Sequence, residues 1–128
     1  MAVLRGFFDT KTRAFVGFIL PGGVANLQID TGFNRQVLVG DLTAARLGVA
    51  PSSGFVMVQA AANTMPFRVQ AARVHVTWLG QPRRIDVLVY ENEQPRRRGE
   101  PDGLLGTGLI QPDRLLLDYL NDIVEISN

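Results

Sequence analysis

The segment Asn26-Leu27-Gln28-Ile29-Asp30-Thr31-Gly32-Phe33-Asn34 constrains this chain more than any other. Ala25, Leu27 and Ile29 share one parity and Asn26, Gln28 and Asp30 the other, which is the period of a strand with one face buried. The alternation ends at Asp30, where Thr31 and Gly32 follow. Glycine reaches dihedrals closed to other residues and lets a second backbone come close. The sequence therefore sets a carboxylate at the end of a rigid strand, on a tight loop, with a hydroxyl beside it. That arrangement suits a catalytic acid. Read alone, Asp30 equally well just ends a strand and accepts turn hydrogen bonds.

The remaining segments are short and mostly extended. Val3 to Phe8 reads as a strand and Asp9 to Thr12 as a turn. Ala14 to Leu20 is apolar on both parities, as in a strand covered on both faces. Pro21-Gly22-Gly23 turns it back into the Ala25 to Ile29 strand. After the Asp30 loop comes a strand at Gln36 to Val39, then a short helix from Leu42 to Leu47, with Asp41 expected to cap it and Gly48 to end it. Phe55 to Ala61 is strand-like. Phe67 to Trp78 is a long strand whose apolar parity changes midway, which points to a bulge or bend near Ala71. Ile85 to Tyr90 is another strand. Glu91 to Gly103, with Arg96-Arg97-Arg98, reads as an exposed loop. Arg114 to Tyr119 and Ile123 to Ile126 form a last hairpin. Many short strands and at most one or two short helices argue for an all-β barrel, and 128 residues suit a single domain, 1–128.

Composition removes several function classes. There is no cysteine and one histidine, so no thiolate metal site or disulfide forms, and neither a metal nor a cofactor is expected. A net charge of +1 argues against a nucleic-acid partner. No apolar run approaches the roughly 18 residues of a membrane span, so no membrane partner is expected. Met1 to Thr10 does not read as a secretory signal, and the lack of cysteine fits a cytoplasmic protein. Ser52, Ser53 and Ser127 lie in no nucleophile-elbow context, and Trp78 reads as a core residue.

Ile29-Asp30-Thr31-Gly32 resembles the active-site signature of aspartic proteases, and Leu104-Leu105-Gly106 resembles the apolar-apolar-Gly segment behind the catalytic loop of retroviral-type (retropepsin-like) members. The likeness runs from about Ala14 to Ile126 and is nearest to small bacterial single-domain forms. It implies a closed β-barrel of the acid-protease fold that carries half an active site. Its catalytic residues would be Asp30, Thr31 and Gly32, and Leu104, Leu105 and Gly106 would support them. Substrate contacts are implied at Phe33 and Asn34 and on a flap at Ala62, Asn63, Thr64 and Met65. The chain has no second Asp-Thr-Gly, so a working site takes two copies and the partner is the chain itself. The activity implied is endopeptidase hydrolysis of peptides or proteins. The sequence leaves open a catalytically silent barrel that binds peptides by strand addition, or a purely structural dimerisation module.

The chain also departs from the retroviral pattern. Those members carry an Asp two residues after the Gly, paired with an Arg just after the apolar-apolar-Gly, and here the two positions are Asn34 and Thr107. The flap tip, Asn63-Thr64-Met65-Pro66, lacks glycine. In retroviral relatives the chain termini pair across the dimer, a role open to Val3 to Phe8 and Ile123 to Ile126.

Overall fold

The computed structural model of the chain describes residues 1–52, 54–58 and 65–128. Its elements, in order, are β1 (Val3–Arg5), β2 (Phe7–Phe8), β3 (Ala14–Leu20), β4 (Gly23–Asp30), β5 (Val37–Gly40), α1 (Asp41–Arg46), β6 (Val56–Val58), β7 (Phe67–Trp78), β8 (Gln81–Tyr90), β9 (Gly103–Gly106), α2 (Thr107–Ile110), β10 (Arg114–Asp118) and β11 (Ile123–Ser127). Eight strands form one sheet in the order β2-β3-β4-β9-β5-β8-β7-β6, and three form another, β1-β11-β10.

The mostly β expectation holds, and the large sheet is rolled. Four strands separate β3 from β7 in the ladder, yet the rings of Phe18 and Trp78 lie 6.1 Å apart. Inward residues from β3, β4, β5, β7, β8, β9 and β11 share one apolar cluster, in which Val16, Leu27, Val37, Val87, Leu105 and Ile126 are fully buried. Each such side chain contributes about 1.5–3 kcal/mol when taken from water. Among the described residues the ladder of the large sheet has two ends, β2 and β6. Trp78 is in the core as expected, and its indole N–H donates to Asp113 Oδ2 at 2.9 Å.

The parity change in β7 has a different cause from the bulge expected. Pairing with β8 runs unbroken from Val69↔Tyr90 to Trp78↔Gln81. What changes is the face that is covered. Ala72, Val74, Val76 and Trp78 point into the main core, whereas Phe67, Val69 and Ala71 point the other way, into a second cluster with Phe33, Leu38, Val58 and Leu88. One regular strand thus serves two cores in succession. β5 lies between β9 and β8 and serves both at once, with Val37 and Val39 on one face and Leu38 on the other. In β3 only the start is covered on both sides: Phe15 is buried beneath Phe7, with ring centroids 5.4 Å apart, while Ile19 is open to solvent.

The cap of α1 is also not the one expected. Gly40 is the N-cap residue and supplies no side chain. The helix is capped instead from 50 residues away by Glu93, a buried residue in the segment read as an exposed loop. Its Oε1 accepts from Thr43 N (3.0 Å) and its Oε2 from Thr43 Oγ1 (2.8 Å). Asp41 returns the contact, its Oδ1 accepting from Glu93 N and its Oδ2 from Asn92 N, both at 3.1 Å. Gly48, at φ +70°, ends the helix as expected.

The hydrogen bond from Glu93 N, followed by those from Asn92 and Leu42, holds the Asp41 carboxyl below its ordinary 3.8, against a burial effect in the other direction. A carboxyl whose folded value is lowered stabilises the fold above its unfolded value and loses that contribution as pH falls through the folded one. Acid unfolding should therefore steepen below pH 3.8. In Asp41→Asn the denaturant midpoint should fall less steeply with acid. An unchanged slope of midpoint against pH would count against this role.

The terminal strands pair within one chain: β1 lies on β11, from Val3↔Ser127 to Arg5↔Glu125. The role across a dimer that the resemblance suggested for them is thus met first inside the protomer, which leaves β1 and β10 as the edges of the small sheet. Among the described residues no helix is long and apolar enough to cross a membrane.

Candidate active site

The site is built where β4 stops. Ile29 is the last inward residue of the strand, and Asp30 follows on the opposite face, half-buried. Its Oδ1 accepts from Gly32 N at 2.9 Å, and its backbone carbonyl accepts from Phe33 N at 3.1 Å. The loop therefore turns around its own carboxylate. Among the described residues Oδ2 accepts no hydrogen bond. Thr31 and Gly32 are exposed beside it.

The apolar-apolar-Gly segment lies directly behind this loop. β9 runs parallel to β4, with Ile29↔Leu105 and Asp30↔Gly106, and antiparallel to β5, with Val37↔Leu105. It thus threads between the strand that enters the Asp30 loop and the strand that leaves it. Leu105 is fully buried in the main core, and Leu104 packs against the second cluster. Backbone bonds lock the loop down: Gly106 N donates to Gln36 O (2.9 Å), Thr107 N to Phe33 O (2.8 Å) and Gly108 N to Arg35 O (3.1 Å). Gly106 is required for space, because a Cβ there would fall on the carbonyl oxygens of Phe33 and Arg35.

At Thr107 the loop is held without a charge. With no ion pair at positions 34 and 107, Thr107 holds the loop through its backbone N–H and through Oγ1, which donates to Phe33 O at 3.3 Å. Neutral hydrogen bonds stand where retroviral members place charges.

The proposed substrate contacts are distributed unevenly. Phe33 is buried in the second cluster, so its ring is a floor, and Asn34 is exposed on the rim. A cleft of about 320 Å³ borders the loop, lined by Gly32, Phe33, Asn34, Arg35, Met57 and Val58. β6 and β7 pair antiparallel, with Val58↔Phe67 the last pair among the described residues. Ala62, Asn63 and Thr64 lie outside the described residues, and Met65 is exposed. Sequence reasoning missed Arg35 and Gln36, whose carbonyls hold β9 and α2. A backbone acceptor has no residue signature, so no signal could have found them. His75 faces solvent, and among the described residues no group of His, Cys, Asp or Glu is arranged to hold a metal.

No protein family model and no curated protein matches the sequence. Solved structures do. A retropepsin-like aspartic protease from Rickettsia conorii superposes with a TM-score of 0.63 at 14% identity, covering 97% of this chain and 89% of that one. The chain has the retropepsin-like fold. EIAV protease, in complex with the inhibitor HBY-793, gives a TM-score of 0.56 at 14% identity over 81% of this chain and 90% of its own. At such identity the likeness fixes the retropepsin-like architecture, with β9 behind the Asp30 loop, and leaves chemistry to be argued from the site.

Proposed function

We propose that residues 1–128 form one retropepsin-like domain, its rolled sheet closed as a barrel, that supplies half of an aspartic endopeptidase. One observation carries this reading: a carboxylate at a strand end with one oxygen fixed by Gly32 N–H and the other without a donor among the described residues. Two such loops facing each other about a two-fold axis complete a site. Two carboxylates about 3 Å apart cannot both ionise cheaply, so the pair holds one proton and titrates as a unit. The ionised Asp30 takes a proton from water, whose oxygen attacks the scissile carbonyl carbon. The protonated Asp30 of the second copy gives its proton to the carbonyl oxygen. The tetrahedral intermediate then breaks at the C–N bond as the first Asp30 gives the proton taken from water to the amine nitrogen and the second takes a proton back from a hydroxyl of the intermediate, which restores the pair.

Thr31 would bond across the axis and hold the two loops together, and Gly32 would bring backbone close to substrate. Phe33 and Asn34 would line the substrate cleft, and the hairpin carrying Ala62 to Met65 would close over it and pair with substrate main chain as an added strand. Leu104, Leu105 and Gly106 support the loop from behind. The cysteine-free composition fits a cytoplasmic setting.

The test is a peptide-library assay from acidic to neutral pH, run over a range of protein concentrations. Because each half-site is inert alone, specific activity should fall on dilution through the dimer dissociation constant. Activity that persists undiminished in a protein shown by sedimentation to be monomeric would remove the dyad. Peptide affinity without turnover at any pH would instead support a silent barrel that binds by strand addition.

A further inference from the structure

The Arg96-Arg97-Arg98 run divides in the structure. Arg96 turns inward, its guanidinium 3.5 Å from Glu93 Oε2 and paired with Asp102. Arg97 and Arg98 are exposed, and among the described residues neither has a carboxylate within ion-pair distance. With Lys11 and Arg13 they surround a cavity of about 490 Å³ that also holds Asp9 and Glu100. Arg13 is already paired with Asp9 at 2.7 Å. Lys11, Arg97 and Arg98 therefore outnumber the one remaining carboxylate of the lining, Glu100. The walls are held in place: Arg13 Nη2 donates to Gly99 O at 3.1 Å, and Asp102 N to Asn26 O at 2.9 Å.

The register of β3 and β4 relates the cavity to the candidate site. β3 and β4 pair as far as Phe15↔Gln28, and the same register extended by two residues, past the end of the pairing, would set Arg13 opposite Asp30. Cross-strand partners project to the same face of a sheet. Phe15, opposite Gln28, carries the Arg13 guanidinium over its ring at 5.5 Å, on the face away from the main core. A chain laid across Asp30 on that face would extend one strand over, to the cations.

We propose that this cavity is a substrate subsite that selects an acidic side chain, Asp or Glu, in a peptide bound across Asp30. The proposal rests on the peptidase reading for its location. Guanidinium groups bind carboxylates through paired, charge-assisted hydrogen bonds, and Lys11 adds a point charge. A nucleic-acid occupant is disfavoured by the overall balance of +1, which leaves little general attraction for a phosphate backbone.

The experiment uses peptides identical except for Glu, Gln or Leu at one position flanking the scissile bond. kcat/KM is measured for the wild type and for Arg97→Ser/Arg98→Ser. Binding of labelled Glu and Gln peptides to Asp30→Asn protein is measured in parallel. At one position Glu should be preferred over Gln by about fivefold, and the double variant should lose most of that preference. The preference should also shrink as salt rises from about 0.05 M to about 1 M, where screening acts within about 3 Å. Cleavage without a Glu preference overturns the subsite and leaves the peptidase reading standing. Glu-selective binding to Asp30→Asn, with no turnover by the wild type, keeps the acidic site and removes the peptidase reading. A Glu preference that survives in the double variant overturns the assignment to this cavity. So does binding of single-stranded oligonucleotide, and of neither peptide, at Arg97 and Arg98.

Discussion

Asp30→Asn should abolish peptide hydrolysis while leaving the fold intact. The substitution is nearly isosteric, and Asn keeps an Oδ1 that accepts the Gly32 N–H. Asp30 also lies outside the main core cluster, so the thermal midpoint should move little. Chemistry is another matter, because an amide can neither take a proton from water nor share one with a facing carboxylate. General acid–base catalysis typically contributes 10²–10⁴-fold, and both halves of the pair are lost at once, so the rate should drop by at least about 10³-fold. Mixing adds a second readout. If the two proteins exchange subunits freely in equal amounts, only about a quarter of the dimers keep both carboxylates, and activity per wild-type chain should fall to about half. Equal cleavage by wild type and variant would show that any peptidase activity comes from elsewhere.

The second large effect is on stability. Gly106→Ala would place its new methyl group on the carbonyl oxygens of Phe33 and Arg35 and 2.6 Å from the Phe33 ring. These are mostly backbone atoms held by the bonds from Gly106 N, Thr107 N and Gly108 N, so they cannot move aside cheaply. Overpacking alone costs about 1–3 kcal/mol, and the loss of even part of this bonding brings the total to about 3–5 kcal/mol. Against a typical 5–15 kcal/mol for a domain, that leaves the protein marginal. Gly17→Ala in β3 is the control. There the new Cβ would sit 3.3 Å from Val24 Cγ1, at the end of an exposed side chain. A Gly106→Ala midpoint within a degree of the Gly17→Ala one would show that the loop is not clamped as described.

Much of this architecture was readable from residue order, for an identifiable reason. β7 was delimited to the residue, Phe67 to Trp78, because aromatic and β-branched residues persist between two turn signals. The parity change within it was real, but its cause was not readable. A bulge and a change of covered face leave the same mark on one strand, and only the pairing with β8 separates them. The Asp30 loop and the Leu104-Leu105-Gly106 strand were legible because their residue types are specific. That β9 runs between β4 and β5 is a matter of topology that local patterns do not encode. Glu93 was missed because, among the Glu, Pro and Arg of residues 91–103, nothing marks which carboxylate will meet a helix start 50 positions earlier. Charge density reads as exposure unless the partner is known.

The pairing of β1 with β11 reaches beyond the small sheet. Ala2 N donates to Asn128 Oδ1 at 2.9 Å, and Asn128 N to Ala2 O at 3.3 Å. Ala2 and Asn128 are therefore neighbours. A short bridge between them, with the chain reopened at the exposed turn Asn121–Asp122, would make the β1–β11 pairing a local hairpin and the β10–β11 pairing the most sequence-distant one. A polypeptide rewired in this way would form the β1–β11 half of its smaller sheet early and add β10 late, since short loops cost less entropy to form.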